Sequence, residues 1–289
     1  MKIVKLLPNE NRVQSEYIKS AAYTECSEYF SIKTVFSGQE NYLIDKRKII
    51  LRPNTFLVIN KGSEYSLEVD STNPTLDFSI SFSSAYIRDF TRMQSHSNAQ
   101  LLDNPCSNEE NHVFNAFDTI HLLTGDMRYN MLNLKNSIEL GASDLLINEY
   151  LYHCLLNYSK VLNHESADKS EKLKCLNSTT KKELLKRMTL AKEYINSNFS
   201  EQVKLDAIAS HSCLSVNHLL RTFKQVYGIS PYQYLTQIRL QHAKHLLRHS
   251  DYNINDIVAF VGFECPSSFI RLFKNYHNLT PGQFRNKAS

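Results

Sequence analysis

The chain of 289 residues is 42% hydrophobic and 21% charged, a composition that is typical of globular proteins and excludes a disordered or fibrous chain. Its first residues, MKIVKLLPNENR, lack the apolar run of a signal peptide, and no stretch approaches about eighteen uninterrupted apolar residues. We therefore expect a cytoplasmic protein of two domains with no membrane segment, whose six scattered cysteines, none in a CxxC pair, are reduced thiols.

Charge is divided unevenly along the chain. Residues 1–179 carry 18 Lys and Arg against 22 Asp and Glu, a net charge of −4, whereas residues 180–289 carry 15 against 7, a net charge of +8. A basic C-terminal part joined to an acidic N-terminal part predicts that the C-terminal part binds a polyanion such as nucleic acid.

Five short strands are predicted before residue 84. YFSIKTVF, RKIIL, TFLVIN, EYSLEV and TLDFSISF are rich in β-branched and aromatic residues, and turn-forming pieces such as SGQ, RPN, NKGS and STNP separate them. This spacing predicts a small antiparallel barrel or sandwich over about residues 25–83. Four of its aromatic side chains could line a pocket or fill the core, and filling is the simpler interpretation: Tyr42, Phe56, Tyr65 and Phe78.

Helices are predicted over about residues 84–162. SSAYIRDFTRM, HVFNAFDTIHLL and a long segment from about Leu134 to Leu162 carry apolar residues at helical spacing. In the long segment an apolar seam recurs at spacings of 4, 3, 4 and 3 residues: Ile147, Leu151, Cys154, Tyr158 and Val161. The seam either pairs with a second copy of the chain in a dimer or packs on the chain's own barrel, since two heptads are too few to decide.

The segment NHESADKSEKLKCLNSTT divides the chain. It is polar, charged and thinly apolar, which is typical of a linker, and everything after it is predicted to be helical. We therefore predict an N-terminal domain over residues 1–162, a linker over residues 163–180 and a C-terminal domain over residues 181–289.

The C-terminal domain contains one phrase twice, as LDAIASHSCLSVNHLLRTFKQVYGISPYQYL and, about fifty residues later, INDIVAFVGFECPSSFIRLFKNYHNLTPGQF. Ile208 matches Ile257 at a step of 49, and the other matches fall at a step of 50: Arg221 with Arg271, Phe223 with Phe273, Lys224 with Lys274, Pro231 with Pro281 and Tyr234 with Phe284. Each copy predicts a short helix, a tight turn and an amphipathic second helix, which is the spacing of a helix-turn-helix unit. The predicted helices are 205–212 and 216–227 in the first copy, and 254–261 and 266–276 in the second.

Capping residues support these bounds. SPYQ at 230–233 and TPGQ at 280–283 both fit a capping box with proline just inside the helix. Asn253 and Ser215 fit N-caps, and Gly262 fits a turn that requires a positive φ.

One long helix is predicted between the two units, over Pro231–Arg248. At about 1.5 Å per residue it spans roughly 27 Å, while successive major grooves on one face of DNA lie about 34 Å apart. A single subunit could therefore place two reading helices in neighbouring grooves.

These residues resemble the DNA-binding domain of AraC/XylS-type transcription regulators over about 100 residues, most clearly in AKHLLR, INDIVAFVGFE and FIRLFKNYHNLTPGQFR. The resemblance implies a domain of seven helices with two helix-turn-helix units. LRPNTFLVINKGSEYSL is loosely similar to the cupin-type sensory barrel of the same family. The expected fold is thus α+β, with an N-terminal cupin-like β-barrel followed by helices and an all-α C-terminal domain.

The second helix of each unit enters the major groove in this family, so the resemblance assigns base reading to Asn217, His218, Arg221, Ser267, Ser268 and Arg271. The chemistry agrees, because Arg can contact guanine and Asn adenine through two hydrogen bonds. Phosphate contacts are assigned to Ser215, Thr222, Lys224, Gln225 and Lys274, with simple solvation as the alternative for the lysines.

Three residues depart from the family pattern, and all lie in the first unit. Leu220 stands where the family often has a polar reader, Cys213 replaces the usual turn glycine, and Lys204 stands where a Ser or Thr cap is expected. We expect a strained turn and sparse base reading there.

No catalytic or metal site is predicted. Residues 1–95 contain no histidine, which argues against a metal-binding cupin, and the acidic candidates in the barrel have no spacing that pairs an acid with a base: Glu40, Asp45, Glu64, Glu68 and Asp77. His242, His245 and His249 share one helix face, which solvation or polyanion contact explains. We expect no enzyme activity, cofactor or metal.

The sequence therefore predicts a transcription regulator, more often an activator in this family, that binds promoter DNA through its C-terminal domain. The N-terminal domain is expected to sense a small molecule, to assemble a homodimer, or both, and the effector-binding residues are unknown. RNA polymerase is the expected protein partner, and the location is the bacterial cytoplasm, at the nucleoid. The alternative is a non-metal cupin-type barrel, binding or enzymatic, that is tethered to nucleic acid.

Overall fold

The computed structural model of the chain describes residues 2–45, 47–95, 118–123, 125–172 and 177–288. These residues form two compact units, Met1–Asp168 and Lys169–Ser289. The first unit contains an antiparallel sheet and helices, and all described secondary-structure elements of the second are helices. The α+β class predicted from the sequence is confirmed.

The first unit is built on a sheet whose described strands all pair antiparallel. Their order is β1-β2-β7-β3-β6-β8, and β4 pairs with both β5 and β7. The strands are β1 (Lys2–Leu6), β2 (Arg12–Cys26), β3 (Phe30–Ser37), β4 (Glu40–Ile44), β5 (Arg47–Leu51), β6 (Thr55–Ile59), β7 (Glu64–Phe82) and β8 (Ile120–Leu122).

The predicted N-terminal barrel is corrected by the structure, because the described strands form a sheet that does not close into a barrel. Strands β1 and β8 lie at the two ends of the strand order, and no pairing among the described strands joins them. The sheet also begins at Lys2 rather than near residue 25, because β1 and β2 form a hairpin. Much of β2 is exposed, so its polar composition lacks the apolar alternation by which the other strands are recognised.

The long strand β7 replaces two predicted strands and the STNP turn between them. It pairs with β2 along its length, with β4 over Tyr65–Glu68 and with β3 over Leu76–Phe82. The register between β2 and β7 shifts at Ile18 and Ser20, opposite residues 71–74, so an irregularity within the strand accommodates Pro74, which has no N–H to donate.

Three helices follow the strands of the first unit or lie among them: α1 (Ser84–Ser95), α2 (Gly125–Glu139) and α3 (Asp144–Lys172), whose last four residues belong to the second unit. The predicted helix HVFNAFDTIHLL is wrong at its end, where Ile120–Leu122 forms β8 against β6; residues 112–117 lie outside the described residues. The predicted helix from Leu134 to Leu162 is interrupted, because Gly141 takes a φ of 68° between α2 and α3.

The apolar seam of α3 packs within its own unit. Ile147, Leu151, Cys154 and Tyr158 are fully buried in one core with side chains of the sheet, among them Phe30 and Phe56. Of the two interpretations of this seam, the structure therefore supports packing on the chain's own sheet. Tyr42, Phe56, Tyr65 and Phe78 are likewise buried members of the two core clusters of this unit.

The described residues 177–288 form seven helices, the number that the family resemblance implies. They are α4 (Ser178–Asn198), α5 (Leu205–His211), α6 (Val216–Tyr227), α7 (Pro231–His249), α8 (Ile254–Phe260), α9 (Pro266–His277) and α10 (Pro281–Ala288). The predicted bounds of the two helix-turn-helix units and of the long helix between them agree with these to within one residue.

The predicted linker 163–180 is helical up to Lys172 and again from Ser178, and residues 173–176 lie outside the described residues. The boundary between the two compact units falls between Asp168 and Lys169, inside this segment. None of the described helices combines the length and the apolar character that a membrane span requires.

Candidate nucleic-acid interface

Each helix-turn-helix unit turns at one residue with a positive φ. In the first unit this residue is Cys213, with a φ of 52°, and the N–H of Leu214 donates to Ala209 O at 2.9 Å. In the second unit it is Gly262, with a φ of 80°, and the N–H of Phe263 donates to Val258 O at 3.0 Å. The two turns are therefore equivalent, and the strain expected at the first one follows from a side chain in a left-handed conformation.

The second helices of the units begin differently. Ser215 caps α6 by accepting from the N–H of His218 at 3.4 Å, whereas α9 begins with Pro266 after Cys265 at the N-cap. The N–H groups of Ser268 and Ser267 lower the pKa of the exposed Cys265 thiol. Both helices end at a residue with a positive φ.

Helix α6 presents most of the predicted contact residues on its exposed side. Its buried side consists of Leu219, Thr222, Phe223 and Val226. Asn217, Arg221, Lys224 and Gln225 are exposed, and Ser215 is exposed beside them while His218 is half-buried. Thr222 is only 2% exposed, so it is a core residue and not the phosphate contact that was predicted.

Helix α9 repeats this arrangement. Phe269 and Phe273 are fully buried, while Ser267, Arg271 and Lys274 are exposed and Ser268 is half-buried. Each unit thus exposes an arginine and, three residues later, a lysine on the helix that the family uses for reading DNA.

The capping boxes after these helices also form. Ser230 Oγ accepts from the N–H of Gln233 at 3.2 Å, and Gln233 Oε1 accepts from the N–H of Ser230 at 2.8 Å. Thr280 and Gln283 make the same reciprocal pair, at 3.3 and 3.0 Å. Lys204, by contrast, makes no capping hydrogen bond at the start of α5, as its side chain predicts.

A packed junction joins the two helix-turn-helix units, and the sequence analysis did not predict it. Arg239, in the middle of α7, donates from Nε to Phe199 O and from Nη2 to Glu201 O, both at 2.8 Å. Its guanidinium also lies 5.6 Å from the ring centre of Phe263 in the second turn. The His242 ring stacks on Phe199 with centres 4.0 Å apart.

The second turn closes this junction through Gly262. A Cβ at that position would lie 2.7 Å from Ser200 O and 2.8 Å from Phe199 O, which are backbone atoms that cannot move aside easily. We call the set of Phe199, Ser200, Arg239, His242 and Gly262 the junction. It connects the loop before the first unit directly to the turn of the second.

The N-terminal unit holds a group of buried and half-buried polar side chains on β3, β4 and β7. Tyr42 donates to Glu40 Oε2 at 2.8 Å, and Lys33 donates to the Tyr65 hydroxyl at 2.8 Å. Tyr65 in turn donates to Glu25. No described residue donates a hydrogen bond to the other carboxylate oxygen of Glu40, although it is buried.

Burial changes the acidity of this group. It raises the pKa of Glu40 to about 8, with a further contribution from the charge of Asp77. Burial also raises the pKa of Asp77 to about 6, against the opposing effect of Lys33. The sequence analysis considered Glu40 and Asp77 as acidic candidates but found no spacing that pairs them, whereas in the fold the charge of Asp77 acts on Glu40. Among the described residues, no cluster of three or more metal-ligating side chains occurs.

Two family models match the chain: an AraC-like ligand binding domain over residues 22–155 and a helix-turn-helix domain over residues 208–287. The HTH-type transcriptional activator RhaS of Escherichia coli O157:H7 is 36% identical over 99 residues, which are 34% of this chain and 36% of that protein. The chain thus matches only about a third of the length of these curated relatives.

Two solved structures illustrate the range of similarity. The C-terminal domain of AraT, a response regulator from Geobacillus stearothermophilus, is 31% identical with a TM-score of 0.34, over 35% of this chain and 84% of that one. An apo variant of ToxT from Vibrio cholerae is 12% identical with a TM-score of 0.39, over 99% of this chain and 100% of that one.

The junction predicts that Gly262→Ala destabilises the C-terminal unit by about 2 to 4 kcal/mol, because the new Cβ meets backbone oxygens in a conformation that L residues avoid. Gly228→Ala is the matched control: its φ is 75°, but beyond its two chain neighbours no described atom lies within 4 Å of the added Cβ. It should cost only about 1 kcal/mol. Urea unfolding of the full chain, followed by helical circular dichroism, measures both, and equal losses would show that the junction relaxes without cost.

The raised pKa of Glu40 predicts a pH-dependent stability of the N-terminal unit. The folded form binds its proton more tightly than the unfolded form, so the contribution is complete below the ordinary pKa of 4.5 and is lost as pH rises through about 8. Glu40→Gln should remove a slope of up to about 1.4 kcal/mol per pH unit and stabilise the protein at pH 8. Thermal unfolding between pH 5 and 8 tests this, with the exposed Glu68→Gln on β7 as control; a slope unchanged in Glu40→Gln would contradict it.

Proposed function

We propose that this chain, which belongs to the AraC/XylS-type transcription regulators, binds two neighbouring major-groove segments of double-stranded DNA and regulates transcription there. The observation that carries the proposal is the pair of helix-turn-helix units with equivalent exposed residues, Arg221 with Lys224 and Arg271 with Lys274. The net charge of +8 over residues 180–289 supports it, since a basic surface attracts the phosphate backbone.

The proposed interface has two classes of contact. Asn217, His218, Arg221, Ser267, Ser268 and Arg271 read base edges. Ser215, Lys224, Gln225 and Lys274 contact phosphates and fix the register. The junction supports simultaneous reading by both units, because it joins them by side-chain and backbone contacts in addition to α7.

We further propose that the chain acts as a homodimer, that it activates transcription by contacting RNA polymerase, and that its place in the cell is the nucleoid. RhaS is named as a transcriptional activator, which favours activation over repression. The N-terminal unit is proposed to bind a small-molecule effector. The match to an AraC-like ligand binding domain and the buried, incompletely bonded carboxyl of Glu40 support this role.

The alternative function, a binding or enzymatic N-terminal domain merely tethered to nucleic acid, makes a different prediction. A tether needs no preference among DNA sequences, whereas a regulator does. Selection of bound sites from random double-stranded DNA with the full chain separates the two. We expect a two-part preferred site, and recovery of unselected sequences would contradict the proposed regulation.

Arg271→Ala is predicted to weaken binding to the selected site by about 1 to 3 kcal/mol and to relax the preference at one base pair. Arg221→Ala should have the same effect at a base pair about one helical turn, or roughly 10 base pairs, away. Lys274→Ala is the matched control, since loss of a phosphate contact weakens binding to all sequences equally. Fluorescence anisotropy on a set of single-base variants measures these effects.

Two results would contradict this assignment. Equal losses on selected and random DNA would make Arg271 a phosphate contact. Loss of preference at the same base pair in both arginine variants would show that the two units do not read separate segments.

A further inference from the structure

One apolar side chain lies within the DNA-reading surface of α9. This surface is formed by four exposed residues at the i, i+3, i+4 and i+7 spacing of one helix face: Ser267, Ile270, Arg271 and Lys274. Ile270 is 40% exposed, and the three other residues of this face are polar. Neither base reading by arginine nor phosphate contact by lysine accounts for an exposed isoleucine at this position.

The repeat places a branched apolar residue directly before the arginine in both units, because Leu220 precedes Arg221 as Ile270 precedes Arg271. Leu220 is half-buried and therefore contributes to packing in its own unit. Ile270 is more exposed, and the core side of its helix is already filled by Phe269 and Phe273. Packing within the unit thus leaves much of the Ile270 side chain available to a ligand.

We propose that Ile270 contacts the C5-methyl group of a thymine next to the base that Arg271 reads. The inference rests on the proposed DNA binding and adds the identity of one base. Thymine is the only base of unmodified DNA that presents a methyl group in the major groove, and apolar side chains recognise it by contact. A β-branched residue suits this role, because its χ1 angle is nearly fixed in a helix and little freedom is lost on binding.

Replacement of thymine by deoxyuridine tests the proposal, because it removes the methyl group and keeps the base pairing, the O4 acceptor and the backbone charge. Each thymine of the selected site is replaced in turn, and the affinity of the full chain is measured by fluorescence anisotropy. We expect one replacement, beside the base pair assigned to Arg271, to weaken binding about fourfold, as burial of one methyl group would.

Variants then identify the residue that contacts the methyl group. In Ile270→Ala the same replacement should change affinity by less than about 1.5-fold, whereas Ile270→Val should retain most of the wild-type response. Phe260→Ala is the control, since it removes an apolar side chain of similar exposure, 51%, from α8. It should show the full wild-type response to deoxyuridine.

Two outcomes would overturn the inference: no thymine beside the Arg271 base pair responds to replacement, or the response persists in Ile270→Ala. Both leave the proposed function intact, because wild-type binding to the selected site is measured in the same titrations. Failure of the proposed function would appear differently, as wild-type binding that does not distinguish the selected site from random DNA.

Discussion

The close approach of the second turn to the carbonyl oxygens of Phe199 and Ser200 is the contact on which the C-terminal unit depends. It is possible only because residue 262 has no side chain, and because Arg239 supplies hydrogen bonds to two carbonyl groups of the same loop. Burial lowers the pKa of Arg239, but a guanidinium remains charged at any physiological pH, so these bonds persist. The orientation of one reading helix to the other therefore depends on packing at the junction as well as on the length of α7.

The two helix-turn-helix units differ at their turns. The first turn has Cys213 at its left-handed position. Arg187, on α4, donates a hydrogen bond from Nη1 to the carbonyl oxygen of Cys213 at 2.9 Å. The second turn has glycine and lies against the junction. A residue with a side chain is tolerated in the first turn because it is exposed, whereas the second turn has no room for one. The turn that departs from the family pattern thus has a hydrogen bond to a residue 26 positions away.

Local signals account for what the sequence could predict. Caps, prolines and apolar spacing act over a few residues, so the helices of the C-terminal unit and the exposed Arg221 and Arg271 follow from the sequence. The junction joins residues about 40 to 60 positions apart, and nothing local to Arg239 marks its partners. In the N-terminal unit the prediction of a barrel fails for the same reason. The pairing of β1 with β2 and the continuity of β7 through Pro74 depend on neighbouring strands that the sequence pattern does not specify.

The N-terminal unit has two core clusters that differ in the side chains around them. One core cluster joins the sheet to α2 and α3, and its members are almost all apolar. The other is formed mainly by β4, β5, β6 and β7, and it adjoins the buried Glu40, Tyr42 and Asp77 and the half-buried Lys33. A neutral carboxyl with an unsatisfied oxygen costs stability where an apolar residue would not. If the N-terminal unit binds a polar effector as proposed, this oxygen is one atom of an otherwise apolar surrounding that is available for a hydrogen bond to it.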